Sequence, residues 1–276
     1  KPKGMTSHDV VAVLRRKTGI RQIGHTGTLD PLAQGVLPVS IGKATRLIEY
    51  LKEDKEYLAT IQFGASTTTF DIEGEIQNQL EPQDINITEE SLKDALKSFE
   101  GEIEQIPPIY SAIKVKGRKL YEYAKKGETV EIKPRKVFIE KIELKEFDER
   151  NFRAKILVKC SKGTYIRSIA NDLGKLSGAG GYLTELIRTQ SGKFRIENSI
   201  DLDSENIEKF LINPIKVLDL PKIEVCQSEI KKIKNGMPIK NNTNLCGTVI
   251  LVYNNDEICA AAEAQKDIIK VKKVFL

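Results

Sequence analysis

The sequence predicts an α+β protein: a mixed, mostly antiparallel sheet with intervening helices, followed by a small β-rich C-terminal domain. Two observations carry this. Period-two and helical hydrophobic patterns succeed one another with no alternating strand–helix–strand run of the parallel-sheet kind and no internal repeat. Near Asn213-Pro214 to Leu220-Pro221 the chain changes character and continues to its end as a set of short strand-like runs.

The elements can be justified in order. Ser7-His8-Asp9 ahead of Val10, Val11, Val13 and Leu14 reads as an N-capped amphipathic helix, with Arg15, Arg16 and Lys17 suited to its C-terminal dipole and Gly19 ending it. Val36–Val39 reads as a short buried strand, and Ala44, Leu47, Ile48 and Leu51 recur at helical spacing. Tyr57, Ala59, Ile61 and Phe63 then alternate as one strand face. Leu92, Ala95, Leu96 and Phe99 mark a helix over Thr88–Phe99. Pro107-Pro108 lacks two backbone donors and so breaks regular structure. Strands are expected around Val137–Leu144 and Phe152–Cys160, and Ile166, Ile169, Ala170, Leu173 and Leu176 return to helical spacing. In the last segment, strands are expected at Ile223–Val225, Thr248–Tyr253, Ile258–Ala261 and Ile268–Phe275, with turns at Asn235-Gly236 and Asn254-Asn255.

Composition narrows the function. The chain has 276 residues, 40% hydrophobic and 30% charged, enough for one large domain or two. No apolar run approaches the roughly 18 residues of a membrane helix, and no targeting segment is expected. Cys160, Cys226, Cys246 and Cys259 are far apart, without a C-x-x-C pair, so reduced thiols in a cytosol are the simplest reading. With only His8 and His25, there is little material for a histidine metal site or a Ser-His-Asp triad. From Ser111 to Lys136, nine Lys/Arg face three Glu and are interleaved with tyrosines, and from Pro221 onward nine Lys face six acids. Both stretches fit a polyanion, although solvated lysine faces are common.

Three motifs can carry chemistry. In GHTGTLDPLAQG, residues 24–35, an isolated Asp-Pro would be a turn, and Pro31 does hold Asp30 away from helical geometry. Yet three glycines permit close approach, and His25 with two threonines supplies a ring and donors, a setting suited to a nucleotide. In SKGTYIR, residues 161–167, a glycine turn opens a helix but is too short for a Walker loop, and Arg167 alone reads as a surface or ion-pair residue. Tyr57 alone reads as a core tyrosine.

Taken together, GHTGTLDPLAQGVLPV, Lys55-Glu56-Tyr57, SKGTYIRSIANDLG and Leu186-Ile187-Arg188-Thr189 strongly resemble the TruB family, bacterial tRNA pseudouridine-55 synthases. The opening Lys1-Pro2-Lys3-Gly4-Met5-Thr6-Ser7 is similar to the family's first motif. The resemblance implies a catalytic domain of the pseudouridine synthase type over 1–220, with a thumb-like insertion at about 103–130. It also implies a PUA-like RNA-binding domain over 221–276, matched mainly by strand-like runs and Asn235-Gly236-Met237-Pro238. It makes Asp30 the catalytic aspartate, Tyr57 the tyrosine that stacks on the target base, and Arg167 the arginine paired with the carboxylate. His25, Tyr165 and Leu186 match residues that contact RNA or line the uracil pocket. Ile187 departs from the family, which often has arginine there.

The implied reaction is isomerisation of uridine in the T-loop of tRNA, without cofactor or metal, because the glycosidic bond is broken and remade with no redox change. The stretch Ile109–Gly127 resembles the thumb insertion that grips the T-arm in stand-alone bacterial enzymes, with Lys114, Lys116 and Lys119 as phosphate contacts and no guide RNA. A cytoplasmic monomer is expected. Two other readings compete: a non-catalytic tRNA-binding or folding protein on the same scaffold, and a base-excision glycosylase.

Overall fold

The computed structural model describes residues 1–254 and 256–276, so the second residue of the turn expected at Asn254-Asn255 lies outside the described residues. These residues form two compact units. One comprises Lys1–Asp9, Gly27–Leu37 and Glu53–Asp201; the other comprises Val10–Thr26, Pro38–Lys52 and Leu202–Leu276.

The first unit is built on a seven-stranded sheet in the order Phe194–Arg195, Gly181–Ser191, Lys55–Phe63, Arg153–Cys160, Arg135–Asp148 and Gly101–Gln105, with Gln34–Gly35 added beside Gly181–Ser191. Every pairing is antiparallel except that last one, which is parallel. Register is set by burial. Ala59 lies opposite Ile156 on one side and Leu186 on the other, and Ile61 lies between Ala154 and Leu183. A slip of one residue would turn this apolar face to water. Two helices close the face. Glu89–Lys97, capped reciprocally by Thr88 and Ser91, supplies Leu92 and Leu96; Ile166–Leu176 supplies Ile169, Ala170 and Leu173. The second helix rides close to the sheet because Gly174 meets Gly181: a Cβ on Gly174 would lie 2.0 Å from the Gly181 nitrogen.

Gly181–Ser191, a central strand, is not legible in the hydrophobic pattern, since it carries Arg188 and Thr184 inward among apolar residues. The insertion, expected as a basic stretch, contains the hairpin Lys114–Val115 with Arg118–Lys119 and the helix Leu120–Lys125. The strand expected at Val36–Val39 does not form. Pro38 has no N–H, and the pairing falls instead on Gln34–Gly35 and Val39–Ile41.

The second unit holds a five-stranded sheet in the order Lys222–Glu224, Gly247–Tyr253, Glu257–Ala264, Ile268–Val274 and Ile239–Lys240. The helix Gln227–Lys234, not foreseen among the short strands, buries Ile230 and Ile233, and Gly236 comes after it at φ +67°. On the other side of this sheet, Ile250, Val252, Ala261 and Phe275 pack with Ile215, Leu218 and Leu47. Lys43 and Arg46 donate to the Phe275 and Val274 carbonyls. Leu220, where the boundary is expected, lies within the Leu202–Leu276 segment of this unit.

Candidate active site

The loop that carries Asp30 is fastened at both ends by one side chain. The Arg188 Nε donates to the Val36 carbonyl at 2.8 Å and its Nη2 to the Gly27 carbonyl at 3.2 Å, with no part of the residue exposed. Its backbone also accepts from the Val36 N–H at 2.9 Å. Gly35 makes this approach possible: at φ +112°, a Cβ there would fall 2.3 Å from the Arg188 carbonyl oxygen. Within the loop, Asp30 opens a turn in which its carbonyl accepts from Ala33 N–H at 3.0 Å, and the Ser7 hydroxyl accepts from Leu29 N–H at 2.8 Å. Leu29, Leu32 and Ala33 are buried. The turn reading of Asp-Pro is thus correct for the backbone, and it leaves the carboxylate pointing outward.

Arg167 meets that carboxylate. Its Nε lies 3.0 Å from Asp30 Oδ2, and its Nη1 lies 3.2 Å from Asp71 Oδ2. Nη1 also approaches the Thr69 carbonyl at 3.3 Å, and Nη2 donates to the Tyr110 carbonyl at 3.0 Å. Arg167 is 4% exposed, so of the two readings of this arginine alone, surface or ion-pair residue, the structure has the ion pair, buried and held between two carboxylates. The acids differ in access: the Asp30 side chain is 37% exposed and that of Asp71 only 3%. One is available to a ligand and the other is not.

Asp71 was missed at the sequence level. It sits in the run Thr67-Thr68-Thr69-Phe70-Asp71, where two neighbours hold its carboxylate and a third its backbone. Thr69 Oγ1 donates to its Oδ1 at 2.5 Å, Glu73 N–H to the same oxygen at 3.0 Å, and Thr67 Oγ1 to its carbonyl at 2.7 Å. Phe70 takes φ +65°, an uncommon conformation for a bulky side chain. The threonine run ahead of an acid was the only available signal.

Burial pushes the Asp30 carboxyl above the ordinary carboxylate range. The Arg167 charge opposes this, and the Asp71 charge adds to it. Tyr57, cross-strand from Arg188, is 7% exposed and its hydroxyl faces the guanidinium. Burial lifts its phenol to about 12, so it stays protonated near neutral pH.

The remaining expected residues occupy varied settings. Tyr165 caps the Ile166–Leu176 helix, half-buried, with Asp30 and Arg167 close enough to act on its hydroxyl through their charges. Leu186 is a core residue at 6% exposure, beside Ala59. Lys114 and Lys116 are exposed on the insertion hairpin, and the half-buried Lys119 lies 5.4 Å from the centre of the Tyr121 ring. His25 ends the strand Ile23–His25, opposite Val39 in the second unit, half-buried. Among the described residues, no group of three His, Cys, Asp or Glu could hold a metal ion, and no helix is long and apolar enough to cross a membrane.

Comparison with known proteins gives a consistent picture. The family described as TruB family pseudouridylate synthase (N terminal domain) matches residues 15–166. The tRNA pseudouridine synthase B of Caldanaerobacter subterraneus subsp. tengcongensis is 45% identical over 281 residues, covering 100% of this chain and 96% of the relative. That of Carboxydothermus hydrogenoformans is 46% identical over 284 residues, with the same coverage of 100% and 96%. Among solved structures, a Cbf5-Nop10-Gar1 complex is similar at a TM-score of 0.71 and 27% identity, over 100% of this chain and 83% of that one. An H/ACA RNP bound to a substrate RNA containing 2′-deoxyuridine is similar at 0.69 and 25%, again over 100% and 83%.

Proposed function

Because this chain belongs to the TruB family of pseudouridylate synthases, we propose that it isomerises uridine to pseudouridine at position 55, in the T-loop of tRNA, with Asp30 as the reacting carboxylate. The observation that carries the assignment of Asp30 is its partly open carboxylate held 3.0 Å from a buried arginine. That arrangement holds a charged, partly exposed group in place at no cost in reorganisation when substrate arrives.

The reaction needs the C1′–N1 bond broken, the base turned, C5 joined to C1′ and the C5 proton lost to water while N1 takes up a proton. Two routes are open to an ionised Asp30: attack on C1′, or removal of the C2′ proton. Either requires the base outside its stack, at roughly a few kcal/mol. An aromatic ring that receives the base returns about 1–3 kcal/mol. Tyr57 is assigned that role; its ring is largely buried, so the base would meet only the small open part. His25 would fill the stack the base leaves, and Tyr165 and Leu186 would bound the uracil pocket. Arg167 aims Asp30, and Asp71 fixes Arg167 from behind.

Residues 1–220 are assigned to catalysis, with the insertion at about 103–130 gripping the T-arm through Lys114, Lys116 and Lys119, and residues 221–276 to a PUA-like RNA-binding role. The absence of a guide RNA in this reading rests on the relatives named tRNA pseudouridine synthase B at 45% and 46% identity. The enzyme is read as a cytoplasmic monomer that needs no cofactor.

The test is an unmodified tRNA transcript with tritium at uracil C5. Tritium released to water with the RNA intact and no free base supports isomerisation. Free uracil would make the protein a glycosylase, and tight binding without release a tRNA-binding protein.

A further inference from the structure

The segment Ile106-Pro107-Pro108-Ile109-Tyr110 joins the Gly101–Gln105 edge strand to the basic insertion. Its two prolines are buried and cannot donate to any ladder, so the segment must be held by donors from elsewhere. Those donors come from one place, the start of the Ile166–Leu176 helix. Ser168 Oγ donates to the Ile106 carbonyl at 2.8 Å, and Arg167 Nη2 to the Tyr110 carbonyl at 3.0 Å. One residue earlier, Gln105 grips Tyr165 with both ends of its amide: Oε1 accepts from the Tyr165 N–H at 2.7 Å, and Nε2 donates to the Tyr165 carbonyl at 3.0 Å. Gln105 is 3% exposed. Beyond Tyr110 the insertion is pinned in turn, with Tyr121 N–H on the Ser111 carbonyl at 3.1 Å and Leu120 N–H on the Ile113 carbonyl at 2.8 Å.

Three consecutive contacts thus join the root of the insertion to the residues around the reacting carboxylate. Gln105 holds Tyr165, the Ile106 carbonyl is held by Ser168, and the Tyr110 carbonyl takes the one Arg167 nitrogen that neither carboxylate uses. We propose that Gln105 is a positioning residue for the isomerisation, clamping Tyr165 so that the Pro107-Pro108 strap holds Arg167 in register with Asp30 and joins the seat of the RNA-gripping insertion to the chemical step. This rests on the functional reading above. Gln105 does not touch the substrate; it acts through Tyr165 and Arg167.

The experiment uses the full chain and the tritiated tRNA transcript under single-turnover conditions with saturating enzyme. Gln105→Met keeps the volume and removes both hydrogen bonds; Ser168→Ala removes one hydroxyl and carries the test if the first variant does not fold. The expected result is a rate constant at least tenfold lower for Gln105→Met and at least threefold lower for Ser168→Ala, with transcript Kd within threefold of wild type. Asp30 faces Arg167, Asp71 and Lys1. A loosened Arg167 withdraws the charge that favours ionised Asp30, so the acid limb of the pH–rate profile should move to higher pH, which mere loss of stability would not cause. Wild-type rates and an unmoved limb in the folded variants overturn the positioning role, as does a rate loss explained wholly by weaker binding. A wild-type protein that releases no tritium overturns the functional reading itself, and the positioning role with it.

Discussion

Asp71 and Arg167 form a closed ion pair: Oδ2 and Nη1 are 3.2 Å apart, and neither side chain exceeds 5% exposure. The same guanidinium reaches Asp30, whose side chain is 37% exposed. A buried arginine with only the partly exposed carboxylate as partner could turn toward solvent; with the second, buried carboxylate behind it, its orientation is fixed.

Replacing that second carboxylate tests the arrangement. Asp71→Asn keeps the shape and removes the charge. The expected outcome is at least about a tenfold fall in the chemical rate, equivalent to about 1.4 kcal/mol, with tRNA binding little altered. An unchanged single-turnover rate would show that Arg167 needs no support from Asp71.

The wild-type pH profile is informative alone. In the proposed reaction Asp30 must be ionised, and burial places its carboxyl above the usual carboxylate range. Rates should therefore decline, as pH is lowered, at a value above that range. Single-turnover rates at constant ionic strength measure it; a limb within the ordinary range would mean solvent at the open edge offsets burial.

For Asp30→Asn the expectation is complete loss of tritium release, with tRNA Kd within about tenfold of wild type, since the carboxylate reacts but contributes little to binding. Retained release would remove Asp30 from the mechanism.

Arg188 gives a stability prediction. Arg188→Met strands the Gly27 and Val36 carbonyls, at about 1–3 kcal/mol for each one left buried, and should lower the denaturant midpoint. Arg188→Lys is not expected to rescue it, because a single ammonium cannot reproduce the planar fork that spans both ends of the loop. A midpoint equal to wild type in either variant would contradict the clamp.

On the insertion, Lys114→Glu and Lys119→Glu should weaken tRNA binding and make it less sensitive to salt. The log–log slope should fall by about 1 for each phosphate that no longer meets a lysine. Affinity measured across a salt series decides this; unaltered slopes would place the RNA elsewhere.

Much of this protein is written in local pattern. The alternation at Tyr57, Ala59, Ile61 and Phe63 and the helical spacing from Ile166 to Leu176 determine which faces are buried, because each periodicity is a property of a short segment. The GHTGTLDPLAQG and SKGTYIR motifs likewise carry the family resemblance, and it is that resemblance, not either motif read alone, that pairs Arg167 with Asp30. What local pattern could not reveal is how each charge is balanced. Asp71 stands among threonines, Arg188 interrupts an apolar strand, and Gln105 precedes two prolines, so each reads alone as polar surface or a break. Only the folded chain puts all three out of solvent, where a buried polar group must find partners. Their partners come from segments far apart in sequence: Arg167 for Asp71, Gly27 and Val36 for Arg188, and Tyr165 for Gln105. The sequence motifs, and the family they resemble, singled out Asp30 as the carboxylate proposed to react; tertiary structure decided what aims it, because orientation in a buried site depends on long-range partners that no local pattern encodes.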